Sequence, residues 1–296
     1  MLIKSNTFKR IEDPEFIKTI TDDKGRILFG VSRDGTVYIS ETQTNNSNNN
    51  IKTLVMGQYY NPVILKENWK EEKKPVLASV KCYDYDNGAK LMEHSYVHNN
   101  FVGAVMRAIY LMDKNGTGVP FVWCGDYADE VDTKAYPIKE TPYHDEDGNV
   151  KVKKEGGIQM YSAASDWIYG EGEHSEESAE YAELKKLIAD SGLHNYRYCI
   201  NHTKKQYVKV PEYKKDQWTI HPLPILTSSG NGAGGGDYAI EVCINPDEKD
   251  WNKRKYEPKP NAKWVGAWAY DNISVSNDIK DCKDYEKIDW EEELEY

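Results

Sequence analysis

The sequence predicts an α+β fold: mainly antiparallel sheet built from hairpins, one buried helix, one amphipathic helix and long polar loops. Three observations predict it. β-rich runs flank turn dipeptides such as Asp34-Gly35, the signal of a tight hairpin. Two other segments carry helical periodicity with cap residues at their ends. The content of 8 Trp and 22 Tyr is typical of sheets and of interfaces, and argues for a folded chain.

In chain order, Gly25–Ser40 reads as a hairpin about Asp34-Gly35, and Asn45–Asn50 as a polar low-complexity loop. Ile51–Met56 and Val76–Tyr85 read as strands. Asn100 is placed to cap a helix, Phe101–Met112, that is apolar nearly all round and so belongs in the interior. A strand, Val119–Cys124, runs into the polar loop Gly125–Glu130. The stretch from about Asp126 to Gly172 is irregular, with a small hairpin at Asp147-Gly148. Ser175 then caps a helix over about 176–191, with Glu176 and Glu177 at its positive end. Its stripe is Tyr181, Leu184, Leu187 and Ile188, and Gly192 ends it. Strands Tyr196–Asn201 and Gln206–Val210 meet around His202–Lys205. A strand over Tyr238–Ile244, a charged insertion over Asp247–Lys263, and strands Trp264–Ala269 and Asn272–Ser276 complete the chain. The expected organisation is a hairpin-rich region (1–90), a main α+β domain (91–280) and an acidic tail (281–296).

Composition narrows the function classes. The five cysteines are scattered without a CxxC pair, the usage of reduced thiols rather than of a disulfide framework or zinc knuckle. The start lacks the apolar core of a signal peptide, and no apolar run is long enough for a membrane span. A soluble chain in the cytoplasm is expected. The net charge is −11, of which −6 falls in residues 281–296, so direct nucleic-acid binding is not expected. Trp290 and its apolar neighbours among these acids offer a docking element for a basic partner; a solvated, frayed terminus is the plainer alternative.

The most informative stretch is Thr219–Tyr238, where an apolar run after His221 feeds a loop with five glycines between Gly230 and Gly236. Glycine is costly to order, so such a loop is kept where backbone needs positive φ or a close approach. A phosphate cradle of backbone N–H groups is one use, with Asn231, Asp237 and Tyr238 beside it. Both standard phosphate fingerprints fail, because no Gly-Lys-Ser/Thr opens a helix and a strand follows the glycines. A structural or partner-contact loop is the other use.

Remaining candidates are the acidic loop with Asp126, Tyr127 and Asp129 at a strand end, and the turn cluster Asn201, His202, Lys204 and Lys205. Local turn chemistry explains the second cluster equally well. His94 and His98 have i,i+4 spacing but no third ligand, so neither a metal nor a cofactor is expected. No catalytic motif is complete.

Four segments, Phe121–Glu130, Asn201–Val208, His221–Tyr238 and Val265–Val275, together resemble a family of uncharacterised proteins of phages and other viruses. The resemblance covers roughly residues 100–276 and implies a phage or prophage origin, without an activity. In size, acidity and aromatic content alone, with no motif matched, the chain is also similar to Gabija-type anti-defence proteins, which block a host nuclease–helicase complex by binding around it. The expectation is a non-enzymatic inhibitor of a host defence or DNA-processing complex that forms a homo-oligomer. The alternative is a nucleotide or ADP-ribose-type enzyme or sensor using Gly230–Gly236, with Asp126 or Asp237 as base and Lys204 or Lys205 offsetting charge.

Overall fold

The computed structural model describes strands within residues 16–39, and residues 58–145, 148–170, 176–193, 195–213, 219–230, 241–245, 248, 253–258 and 263–290. The chain divides into two units, Met1–Leu54 and Val55–Tyr296. In the first, β1 (Phe16–Thr21), β2 (Ile27–Ser32) and β3 (Val37–Ile39) form an antiparallel sheet in that order. Val31 pairs with Val37 and Phe29 with Ile39, the hairpin expected about Asp34-Gly35. That dipeptide, the Asn-rich loop and the strand expected over Ile51–Met56 lie outside the described residues.

The second unit contains β4 (Tyr60–Leu65), β5 (Val76–Ser79), β6 (Val119–Gly125), β7 (Lys139–His144), β8 (Val150–Glu155) and β9 (Tyr198–Asn201). There follow β10 (Gln206–Lys209), β11 (Ser228–Ser229), β12 (Glu241–Cys243), β13 (Tyr256–Pro258), β14 (Asn272–Ser276) and β15 (Glu286–Lys287). Its helices are α1 (Leu91–His94), α2 (Asn100–Met112), α3 (Met160–Tyr169), α4 (Ala179–Ser191) and α5 (Pro222–Leu226). The main sheet has the order β15-β10-β9-β14-β6-β4-β5, with β11 attached to β6. Its pairings are antiparallel except β15 on β10 and β11 on β6. Thus β4 and β5, expected within an N-terminal region, are strands of the main sheet.

β6 is buried at every residue because both faces of the sheet are covered there. Phe121 and Trp123 enter a core beneath α2, while Val122 and Cys124 enter a second core beneath α3. α4 adds Leu184 and Ile188 to the first core. The apolar sequence of α2 is therefore matched by its burial, and its cap is Asn99, whose side chain accepts from the N–H groups of Phe101 and Val102. The cap expected at Asn100 is corrected by one residue: Asn100 itself begins the helix.

Further corrections have local causes. The strand expected over Val76–Tyr85 ends at Ser79, and Cys82–Tyr85 forms a 3₁₀ turn closed by Asp86 at φ +54°. The second helix is capped by Ser178 and starts at Ala179, later than expected from Ser175. α3 arises in a stretch expected to be irregular, capped by the Gln159 side chain on Ser162 N–H. Trp264–Ala269 is not a strand. Gly266 has φ +73° and Tyr270 φ +68°, and the amides of Gly266 and Trp268 donate to Ile225 and Leu226 carbonyls, so the segment turns tightly around α5. β4 lacks a sequence signal because Pro62 sits inside it. β5 pairs only from Val63 onward, and Trp123 donates its N–H to Thr227, so no ladder bond needs an amide at position 62.

The Asp147-Gly148 turn signal corresponds to a larger hairpin than expected. Every residue of β7 and β8 is exposed, with Pro142, Val150 and Val152 on one side and Thr141, Tyr143, Lys151 and Lys153 on the other. Ion pairs Lys154–Glu140 (3.1 Å) and Lys151–Asp145 (2.9 Å) brace it. β12 and β13 form a separate two-stranded pair. No helix among the described residues is long and apolar enough to cross a membrane.

Two core histidines create a pH dependence. His94 is stacked on Trp123 at 5.3 Å and edge-on to Phe101 at 4.9 Å, with Nδ1 donating to the Gly88 carbonyl at 3.2 Å. Burial holds its pKa down at about 4, and that of His221, also fully buried, at about 3. An unfolded histidine titrates near 6.5, so between about pH 6.5 and 4 the unfolded chain binds protons that the folded chain does not. Stability is therefore expected to fall as pH drops through that window, with His94 accounting for about 3 kcal/mol. Urea unfolding across this range checks it: His94→Gln is expected to show a shallower loss on acidification, and an unchanged slope would refute the assignment.

Candidate functional site

Because β11 lies parallel to β6, with Ser228 opposite Trp123 and Ser229 opposite Cys124, both chains leave the sheet at the same end. β6 continues into Gly125-Asp126-Tyr127 and β11 into Gly230. The two segments are locked together by Gln58. This side chain is buried, and a Cβ on Gly125 would stand 2.2 Å from its Nε2; a Cβ on Gly230 would stand 2.6 Å from the same atom and 2.9 Å from Ala128 Cα. Gly230 also has φ +98°. The first glycine of the loop is thus required by backbone shape and close packing. Gln58 Oε1 accepts from Tyr60 OH at 2.9 Å, while its Nε2 has no partner among the described residues.

Asp126 is clasped to the strand beside it. Its N–H donates to the Tyr59 carbonyl at 2.9 Å, and its Oδ1 accepts from Tyr59 N–H at 3.1 Å. Gln159, the cap of α3, donates to the Asp126 carbonyl at 3.2 Å. Burial raises the Asp126 carboxyl above its usual range, opposed by the hydrogen bond from Tyr59.

Around this clasp stands a face of tyrosines. Tyr59, Tyr83 and Tyr127 are 43%, 63% and 56% exposed. Tyr83 lies within electrostatic reach of Tyr59 and Glu93, and the half-buried Tyr161 within reach of Asp126, Tyr83 and Tyr59. Burial, then Asp126, pushes Tyr161 up to about 12. Asp129 and Glu130 follow, exposed. The face therefore presents phenol rings beside the carboxylates of Asp126 and Glu93.

The second predicted cluster is elsewhere. Gly118, just before β6, packs against His202, so the β9–β10 turn lies at the opposite end of β6 from Asp126, roughly 20 Å away along the strand. Asn201 is buried, donating to Asp271 at 2.8 Å and accepting from Lys204 N–H at 2.9 Å. Lys204 pairs with Asp271 at 3.3 Å and donates to the Ala267 carbonyl. The His202 ring contacts Tyr285 OH at 3.1 Å and Ser274 Oγ at 2.7 Å, and burial lowers its pKa. Lys205, at φ +53°, turns the hairpin and accepts from Glu286 N–H. These groups tie the turn to β14, the 267–271 turns and the C-terminal segment.

His221 is the buried cap of α5, its Nδ1 accepting from Leu223 N–H at 3.2 Å. Trp290 packs, half-buried, against the first core beside Ile288. Asn231, Asp237 and Tyr238 lie outside the described residues.

Comparison with protein-family models, with curated proteins and with solved structures finds no match. The chemistry must be read from the residues themselves. Cys124, at the end of β6, is no ready nucleophile, since burial pushes its thiol up to about 12. Among the described residues no three His, Cys, Asp or Glu side chains gather as metal ligands would. The sequence expectation named Asp126, Tyr127 and Asp129 in this region and did not name Gln58, Tyr59, Tyr83 and Tyr161, which the structure places around them. The only local signal was the adjacent pair Tyr59-Tyr60, masked by Pro62.

The packing at the loop root is testable. Gly230→Val is expected to cost roughly 1–3 kcal/mol in unfolding experiments, from the positive φ and the Gln58 and Ala128 contacts. Gly125→Ala is expected to destabilise as well, and Gln58→Ala to recover part of that loss in the double variant. Additive losses would show that Gln58 is not what the glycine accommodates.

Proposed function

We propose that the chain is a phage-encoded binding protein without enzymatic activity that inhibits a host anti-phage defence or DNA-processing complex, in the manner of Gabija-type anti-defence proteins, and acts as a homo-oligomer. The observation that carries this reading is the face of Tyr59, Tyr83 and Tyr127 around Asp126. Tyrosine supplies large contact area with few rotatable bonds, and is enriched where binding energy concentrates. The carboxylates Glu93, Asp126, Asp129 and Glu130, on a chain of net charge −11, favour a basic partner surface of the kind that nucleic-acid-processing proteins present. Support also comes from the polar groups at the other end of β6. Asn201, His202 and Lys204 are engaged with Asp271, Ser274 and Tyr285, so they serve the turn rather than a substrate. The phage origin rests on the four-segment resemblance.

Co-purification from a bacterial lysate followed by mass spectrometry tests the proposal. The wild-type chain is expected to retain a stoichiometric protein assembly, and Tyr83→Ala/Tyr127→Ala to lose it. Each truncation should weaken binding by about 2 kcal/mol. The melting transition of the variant should stay within about 0.5 kcal/mol of wild type, since both rings are exposed. Undiminished capture by the variant, or a wild-type monomer that captures nothing, would count against the proposal.

A further inference from the structure

At the end of the main sheet farthest from β5, the chain completes the sheet with β15, which lies parallel to β10 and carries no further strand among the described residues. We propose that this strand is exchangeable: in a pair of copies, each lends its Glu286–Trp290 segment to the β10 edge of the other. The exchange gives a physical form to the homo-oligomer proposed above and rests on that reading.

The seat is specific. Glu286 N–H donates to the Lys205 carbonyl at 2.9 Å, and Ile288 N–H to the Tyr207 carbonyl at 3.0 Å. Gln206 Nε2 donates to the Glu286 carboxylate at 3.0 Å. Ile288 is buried in the first core, and Trp290 packs against that core half-buried. The register sets Gln206 opposite Glu286 and Tyr207 opposite Lys287, the arrangement by which a sheet edge accepts an added strand. The same segment from a second copy meets every one of these contacts, so the occupant is fixed without any new surface.

Two features favour exchange over a permanent seat within one chain. The ladder is two residues long and parallel, and Trp290 Nε1 is buried with no partner among the described residues. Local opening therefore gives up little pairing and frees a polar group. The link from β14 also runs over the surface: of residues 277–284 only Cys282 is buried. Drawn out, those residues reach roughly 27 Å, enough to cross to a neighbouring copy. Charge points the same way. Two copies of net −11 repel one another, and an exchanged strand supplies affinity from contacts the fold already contains.

The test uses full-length chains whose new thiols cannot meet within one molecule. Gln206→Cys and Glu286→Cys chains are mixed, refolded together from urea and oxidised, and mass spectrometry looks for a disulfide joining positions 206 and 286. Tyr207→Cys with Lys287→Cys repeats the test at the next register pair. At least one pair is expected to close between chains, with a yield that rises with protein concentration. That yield should exceed by at least about tenfold that of the off-register pair Lys209→Cys with Glu286→Cys, whose positions lie too far apart in the seat for a disulfide. Light scattering on the wild-type chain separates the two readings. An oligomer in which neither register pair closes overturns the exchange and leaves the homo-oligomer standing, whereas a chain that stays monomeric overturns both. Equal closure of the off-register pair marks random encounter and also overturns the exchange.

Discussion

Strand β6 is the constraint on which the second unit is built. Its residues alternate between two cores, so one extended segment dictates where α2 and α3 must lie and which faces they bury. Trp123 is the densest junction: its ring meets His94, Phe101 and Phe121, and its backbone N–H is taken by Thr227 rather than by β4. A register slip of one residue would exchange the two sets of side chains and empty both cores. The pairing of β11 beside it has a further effect, since it delivers two separate loops to one end of the strand.

The two ends of β6 are consequently different in kind. At one end, Asn201, Lys204 and Asp271 satisfy one another and His202 is taken by Ser274 and Tyr285, so little hydrogen-bonding capacity is left for anything outside the fold. At the other end the backbone of Asp126 is tied down while the rings of Tyr59, Tyr83 and Tyr127 remain in solvent. A rigid base carrying exposed amphipathic rings is what protein recognition needs, because few side chains must then be ordered on contact. The recognition proposed for the chain rests on this asymmetry rather than on the glycine loop.

Elements with strong local periodicity or turn chemistry were legible from sequence: α2, the core of α4, β6, β9, β10, β14 and the hairpin turns. What sequence obscured was non-local. Pro62 argues against a strand until the neighbouring ladder is known to begin at Val63. Trp264–Ala269 has the apolar content of a strand, yet its carbonyl partners belong to α5, a contact no local pattern announces. The site was half legible for the same reason. The acidic loop stood out by composition, whereas Tyr59 and Tyr83 reach it only through pairing and a 3₁₀ turn. Likewise Asn201 and Asp126 looked like equal candidates, and only the topology separates a turn brace from an exposed face.

The β7–β8 hairpin has a practical meaning of its own. Both strands are solvent-facing throughout, and neither core draws a side chain from them. Its braces, Lys154–Glu140 and Lys151–Asp145, are internal to the arm. An arm of this sort can be lengthened, shortened or relabelled without disturbing packing elsewhere, because nothing in either core responds to it. It is thus the natural position for a fluorophore, an affinity handle or an inserted epitope.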